Sequence, residues 1–238
     1  MCVECESLFS RRGLLSLAAA AVAATSLATV GWSPARAAAA ATIAPDEALA
    51  KLKAGNAKFI NAPQLCESDL NQQRASVAAS QSPWATILAC SDSRVAPELI
   101  FGGVGLGELF VARDVGNMAD VATMGTIEYG AEHLGSSLVV VLGHERCGAV
   151  AAACEEVEKH TKLPGSIGPM VEAIVPAALA VKGKPGDFVD NAVRESARRT
   201  SAQIAAKSEI VGRLVKVGKV KVVYARYDLN SGVVDFLG

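Results

Sequence analysis

The chain has 238 residues, 51% of them hydrophobic and 20% charged, enough apolar material for one well-buried domain and the wrong balance for a disordered one. With 23 basic residues against 24 acidic ones it carries no positive excess, which argues against a nucleic-acid binder working through phosphate contacts.

The first predicted element stands outside the fold. An arginine pair, Arg11 and Arg12, precedes an Ala-rich stretch from Leu14 to Val30, and Pro34 and Ala35-Arg36-Ala37 follow. That order matches the n-region, h-region and small-residue cleavage site of an export signal. The arginine pair directly after Ser10 points to the twin-arginine route, and the h-region is short and poor in large apolar residues for a membrane span. The expectation is a signal over residues 1–37 and one domain over 38–238, exported to a bacterial periplasm. Losing Arg11, Arg12, Arg36, Glu4 and Glu6 leaves 20 basic and 22 acidic residues. No later segment reaches a spanning length, so no membrane span is expected in the mature protein.

Residues Pro45 to Ile60 carry Ala48, Leu49, Leu52 and Phe59 at helical spacing, with Asp46 and Glu47 in the first turn. A second helix is predicted from about Glu67 to Ser80. "WATILAC" (Trp84–Cys90) reads as a buried strand, "ELFVARD" (Glu108–Asp114) as a second and "SLVVVLGH" (Ser137–His144) as a third. Helices fill Val121–Leu134 and Ala149 to about His160. The stretch from Gly165 to Val215 is mostly helical, with a break near "VKGKPGD", and "VKVVYARYD" (Val220–Asp228) is a fourth strand before the short run "VVDFLG". Near-continuous apolar strands alternating with helices define an α/β domain: a mostly parallel sheet of four to five strands covered by helices.

Six cysteines need an account. Cys2 and Cys5 lie ahead of the arginine pair and leave with the signal. An even set remains, Cys66, Cys90, Cys147 and Cys154, which in an exported protein suggests disulfides. The surroundings of two of them suggest otherwise. Cys90 and Asp92 end the first strand, while His144 and Cys147 follow the third, and open α/β sheets collect ligands just beyond the carboxyl ends of their strands. If those strands are neighbours, Cys90, His144 and Cys147 converge. Two thiolates and an imidazole suit Zn²⁺, and three protein ligands leave the open position of a catalytic site. The alternative is a structural site with Asp92 closing the shell. Cys154, on the helix after Cys147, reads as a small core residue, and Cys66 has no assignable partner.

"CSDSRV" (Cys90–Val95) followed by "GHERCG" (Gly143–Gly148) resembles the β-class carbonic anhydrases. "LKAGNAKF", "QSP", "GELFVARDVGN", "IEYGAEHL" and "YDLNSGVV" fall in that family's order. The resemblance implies zinc on Cys90, His144 and Cys147, and reversible hydration of CO₂ to bicarbonate and a proton. Asp92 would accept a hydrogen bond from the reacting water, and Arg94 would clamp Asp92 through a bidentate pair. Gln81 would orient the product, Phe110 and Val115 would form an apolar wall, and Tyr129 would come from a neighbouring subunit. The Gly148 N–H, at a helix N-terminus, would face a bound anion, and His133 and His160 are candidate proton shuttles. The family also implies a homodimer in which an N-terminal helical arm, here Ala48 to Phe59, wraps the partner, with assembly to a tetramer possible. Relatives that hydrolyse carbonyl sulfide or carbon disulfide keep that substrate class open, as does a non-catalytic zinc module.

Three departures matter. Asp114 stands where the family usually has Asn, and "FGGVGLGE" is about one residue longer than usual. In one subgroup the aspartate of CxDSR swings onto zinc, a state stabilised by bicarbonate bound beside a tryptophan. Here that position is Ile87, with Ala89 in place of glycine, although Tyr227 and Arg113 keep the pattern. The expectation is the open form, with Asp92 paired to Arg94.

Overall fold

Successive side chains of a strand point to opposite faces of its sheet, and the central strand here divides the molecule that way. The structure is a computed structural model that describes residues 43–62 and 70–238. The expected export signal, Cys2, Cys5, Cys66 and the first residues of the predicted second helix lie outside the described residues. Strand β1 (Ala85–Cys90) is buried throughout. Ala85, Ile87 and Ala89 face one apolar layer, while Leu88 and Cys90 face clusters on the other side.

Four more strands join it: β2 (Leu109–Asp114), β3 (Leu138–His144), β4 (Lys221–Tyr227) and β5 (Val234–Phe236). Their order is β2-β1-β3-β4-β5, the first four parallel and β5 antiparallel to β4. The helices described are α1 (Pro45–Asn61), α2 (Leu70–Val77), α3 (Pro97–Ile100), α4 (Val121–Glu132), α5 (Gly148–Lys159), α6 (Ile167–Glu172), α7 (Val175–Val181), α8 (Phe188–Lys207) and α9 (Glu209–Lys216). One face of the sheet packs on α1 and α3 through Ala48, Leu52 and Ile100. The other packs on α4, α8 and α9 through Ile127, Ala197, Ile204, Val211 and Leu214. Beyond the strand ends on that side, α5, α7 and α8 enclose Cys90 and Cys147 with Val150, Ala153, Ala178 and Val193. Both faces are covered, as near-continuous apolar strands require.

All four predicted strands are present, and the short run after the fourth forms β5. The break expected near "VKGKPGD" separates α7 from α8. Helix α3 was not expected: four residues behind Pro97 are too few to show a periodicity.

Helix α1, the segment expected to reach a partner, is seated on its own chain. Ala48 and Leu52 are fully buried. Gly55 lets the helix touch another backbone, since a Cβ there would collide with the Phe101 carbonyl. Asn56 is buried beside it, donating to the Ile100 and Gly232 carbonyls at 3.1 and 2.8 Å and accepting from the Val234 N–H at 2.9 Å. One amide side chain thus ties α1 to α3 and to β5.

Candidate metal centre

Strands β1 and β3 are direct neighbours, with Ala89 opposite Leu142, so Cys90 and His144 emerge side by side at the carboxyl end. The chain then turns through Arg146, whose φ of 53° is left-handed, and delivers Cys147 as the N-cap of α5. The ligand atoms of Cys90, His144 and Cys147 all lie within 4.8 Å of one another, and all three residues are buried. All described cysteines are free thiols.

The imidazole is oriented for a metal. His144 Nδ1 sits 2.9 Å from the Glu145 carbonyl, which can only accept, so Nδ1 carries the proton and Nε2 the lone pair. That Nε2 is buried and has no hydrogen-bond partner. A buried lone pair left without a donor is costly, and a cation among two sulfurs and a nitrogen removes the cost. The donor set fits zinc. One of the two sulfurs, Cys90, is already biased toward that role. The Cys147 thiol donates to Cys90, and Gly116 N–H approaches Cys90 Sγ at 3.4 Å, so Cys90 is pushed toward thiolate while Cys147 holds its proton more tightly.

Asp92 stands at the rim. Arg94 Nε donates to its Oδ1 at 2.9 Å and an Arg94 terminal N–H to Oδ2 at 2.7 Å, and the Arg94 backbone N–H adds a third bond at 2.9 Å. This grip, chiefly the guanidinium, holds the Asp92 carboxyl well below the usual carboxylate range. Its Oδ2 is 4.0 Å from His144 Nε2. Both carboxylate oxygens are engaged by Arg94, as the open form requires. Arg113, which the sequence pattern left available to an anion, is occupied elsewhere: it donates to the Cys90 carbonyl at 3.0 Å and to the Asp92 carbonyl at 2.7 Å. Ile87 is fully buried.

The remaining expected site residues divide into two groups. Val115 follows β2 beside Gly116, and Gly148 opens α5 at the cluster; both are exposed. A Cβ at Gly148 would meet nothing within 4 Å, so the start of α5 is open there. Phe110, by contrast, pairs with Thr86, four residues before Cys90 and about 13 Å back at the usual rise of a strand. Gln81 precedes β1 altogether. Tyr129 lies on α4, with its ring 6.2 Å from Phe110 and 5.1 Å from His133. The expected wall of Phe110 and Val115 is therefore not formed within one chain, because a parallel register places them toward opposite ends of the sheet. The shuttle expectation for His160 meets the same difficulty. It caps the far end of α5, twelve residues on from Gly148 and about 18 Å along the helix.

Sequence reasoning missed Gly116 and the grip of Arg113. "DVGN" after a strand signals a left-handed turn, and Gly116 (φ 89°) and Asn117 (φ 46°) make it, but no local pattern says that the turn delivers an N–H to a sulfur.

Residues 85–234 match the family model described as Carbonic anhydrase. Carbonic anhydrase 2 of Mycobacterium tuberculosis is 36% identical over 188 residues, covering 79% of this chain and 90% of that protein. The carbonic anhydrase of Mycolicibacterium smegmatis is 35% identical over 191 residues, 80% of this chain and 92% of that one. Among solved structures, a Coccomyxa β-carbonic anhydrase in complex with acetazolamide superposes with a TM-score of 0.62 at 28% identity, over 70% of this chain and 77% of that one. A parallel sheet that sets two thiols and an imidazole at its carboxyl end, together with relatives matched over most of their length, places the chain in the carbonic anhydrase family and in its β class.

Proposed function

We propose that the protein is a zinc-dependent carbonic anhydrase that hydrates CO₂ reversibly to bicarbonate and a proton. The observation that carries this reading is the orphaned, buried Nε2 of His144 between two buried thiols, beside a carboxylate locked by an arginine. Cys90, His144 and Cys147 would hold the metal, which when bound supplies the Lewis acidity that makes water nucleophilic near neutral pH. Asp92 stays ionised and accepts a hydrogen bond from the reacting water. Its depressed pKa makes it a poor proton carrier, so its role is to orient the water rather than to keep the proton. Arg94 fixes the carboxylate, and Arg113 fixes the main chain that bears it. Gly148, the first residue of α5 beside Cys147, would donate its N–H to a product oxygen.

Gln81, Phe110 and Tyr129 act in this reading on the partner's site in a homodimer, and the exposed Tyr129 ring beside half-buried Phe110 on the outer strand supports that role. With Ile87 in place of an indole and Arg113 engaged by carbonyls, no bicarbonate switch operates. Export as folded protein by the twin-arginine route rests on Arg11, Arg12 and the Ala35-Arg36-Ala37 cleavage sequence. No helix among the described residues is long and apolar enough to cross a membrane.

Stopped-flow CO₂ hydration on purified protein tests the central claim. Activity that disappears with a zinc chelator and returns with Zn²⁺ is expected. A zinc-loaded protein that leaves CO₂ hydration at the background rate but releases sulfide from carbonyl sulfide would move the assignment to that substrate. Loss of both would leave a structural metal.

A further inference from the structure

Beyond the metal ligands and the Asp92–Arg94 pair, one half-buried carboxylate gathers the backbone around Cys90. Asp114 ends β2 directly opposite Cys90 in register, and its carbonyl accepts from Ser91 N–H at 2.9 Å. The chain then reverses, and Asn117 N–H returns to the same carbonyl at 3.4 Å. The side chain holds the far end of the turn. Its Oδ1 accepts from Met118 N–H at 2.8 Å, and its Oδ2 accepts from the Thr123 hydroxyl, in the first turn of α4, at 3.0 Å. Both ends of the turn and the start of α4 are therefore tied to one residue.

What that turn carries is Gly116, whose N–H lies 3.4 Å from Cys90 Sγ. From the other side Gly116 is pressed by α6–α7: a Cβ there would come within 2.8 Å of Ile174 Cδ1. The N–H has little freedom, and the freedom it has is governed by Asp114. A hydrogen bond to a ligating thiolate withdraws electron density from sulfur and tunes what it donates to the metal.

We propose that Asp114 is a positioning residue of the metal centre, which sets the Gly116 N–H on Cys90 Sγ by holding the 115–118 turn. The inference rests on Cys90 being a metal ligand, and its test separates the two claims. Replacing zinc with Co²⁺ gives a thiolate-to-cobalt charge-transfer band, read together with Co²⁺ affinity by chelator competition and with folding by circular dichroism. In Asp114→Ala the band moves to longer wavelength, as expected of a sulfur that has lost a donor, and affinity falls about 10- to 100-fold. Asp114→Asn restores the wild-type band, because its amide oxygen accepts from Met118 N–H while its NH₂ donates to the Thr123 hydroxyl. Thr123→Val, which removes one of the two carboxylate contacts and spares the other, gives a smaller shift in the same direction. A folded Asp114→Ala with the wild-type band and affinity overturns the proposal. If that variant does not fold, an unshifted Thr123→Val overturns it instead. A wild-type protein with no charge-transfer band would overturn the metal assignment itself, and this inference with it.

Discussion

At the carboxyl end of the sheet, Cys90, His144 and Cys147 are 4%, 0% and 1% exposed, and their polar atoms are arranged around a single point. Along the outer edge, β2 is only half-buried and α4 presents Val121 and Tyr129 to solvent, at 90% and 49% exposure. The two regions do different physical work. Thiolates and an imidazole must be desolvated together before a metal can replace their lost water, and one chain's own strands and helices enclose them. An apolar wall for a small gas has to stay reachable, and this chain leaves Phe110 half-buried about 13 Å from the cluster and Tyr129 exposed beside it. A single chain completes the ligand set, and in the proposed homodimer the wall would come from the partner.

The comparison breaks most sharply at the buried end. Cys147→Ser removes a soft ligand, and the lost Lewis acidity is worth several kcal/mol, about 10³-fold or more in rate. Zinc content by mass spectrometry should fall in parallel with CO₂ hydration. A variant that keeps full zinc and full activity would show that the buried cluster is not the metal centre. At the exposed end, Phe110→Ala combined with Tyr129→Ala is expected to weaken self-association by about 2–4 kcal/mol, roughly 30- to 1,000-fold in Kd. Sedimentation should then show monomers whose zinc is intact but whose kcat/KM has dropped. A double variant that stays associated and active would reduce the outer edge to ordinary surface.

The smallest effect sharpens the boundary between the two regions, where Asp114 sits. Burial raises its carboxyl to about 6 from an ordinary 3.8, against the hydrogen bonds from Met118 and Thr123 that lower it. An acid whose folded pKa is raised favours the native state below about pH 4, and that advantage is lost as pH rises through about 6. At neutral pH the wild-type protein therefore bears an ionisation cost that Asp114→Asn avoids. Two pH units correspond to about 3 kcal/mol, and solvent screening at a half-buried site reduces this to about 1–2. Thermal melts should show Asp114→Asn gaining about 3–6 °C at pH 7.5 and converging on wild type near pH 4. A difference that does not change with pH would show that burial of this carboxylate costs nothing.

Much of this was legible before any coordinates. Cys90, Asp92 and Arg94 lie within five positions, so their mutual reach is a matter of local chain geometry. The run of apolar residues in each strand follows from a sheet covered on both faces, and the convergence of Cys90 with His144 needed only that two strands be neighbours. Other features had no local signature. Asn56 bonds to carbonyls 44 and 176 residues away, and the Gly116–Cys90 contact joins two different strand ends. Phe110 and Val115 sit five positions apart in one segment, and reading them as one wall overlooked that a strand carries its side chains away along the sheet.

The sequence by itself determined the donor types, their strand-end placement and the α/β class, because these depend on residue chemistry and on hydrophobic period. Tertiary structure alone decided which backbone groups reach the sulfurs, that Arg113 is held by carbonyls, and that β2 forms the edge of the sheet. Those facts depend on strand order and register, and a hydrogen bond between groups brought together by packing leaves no periodicity in the chain.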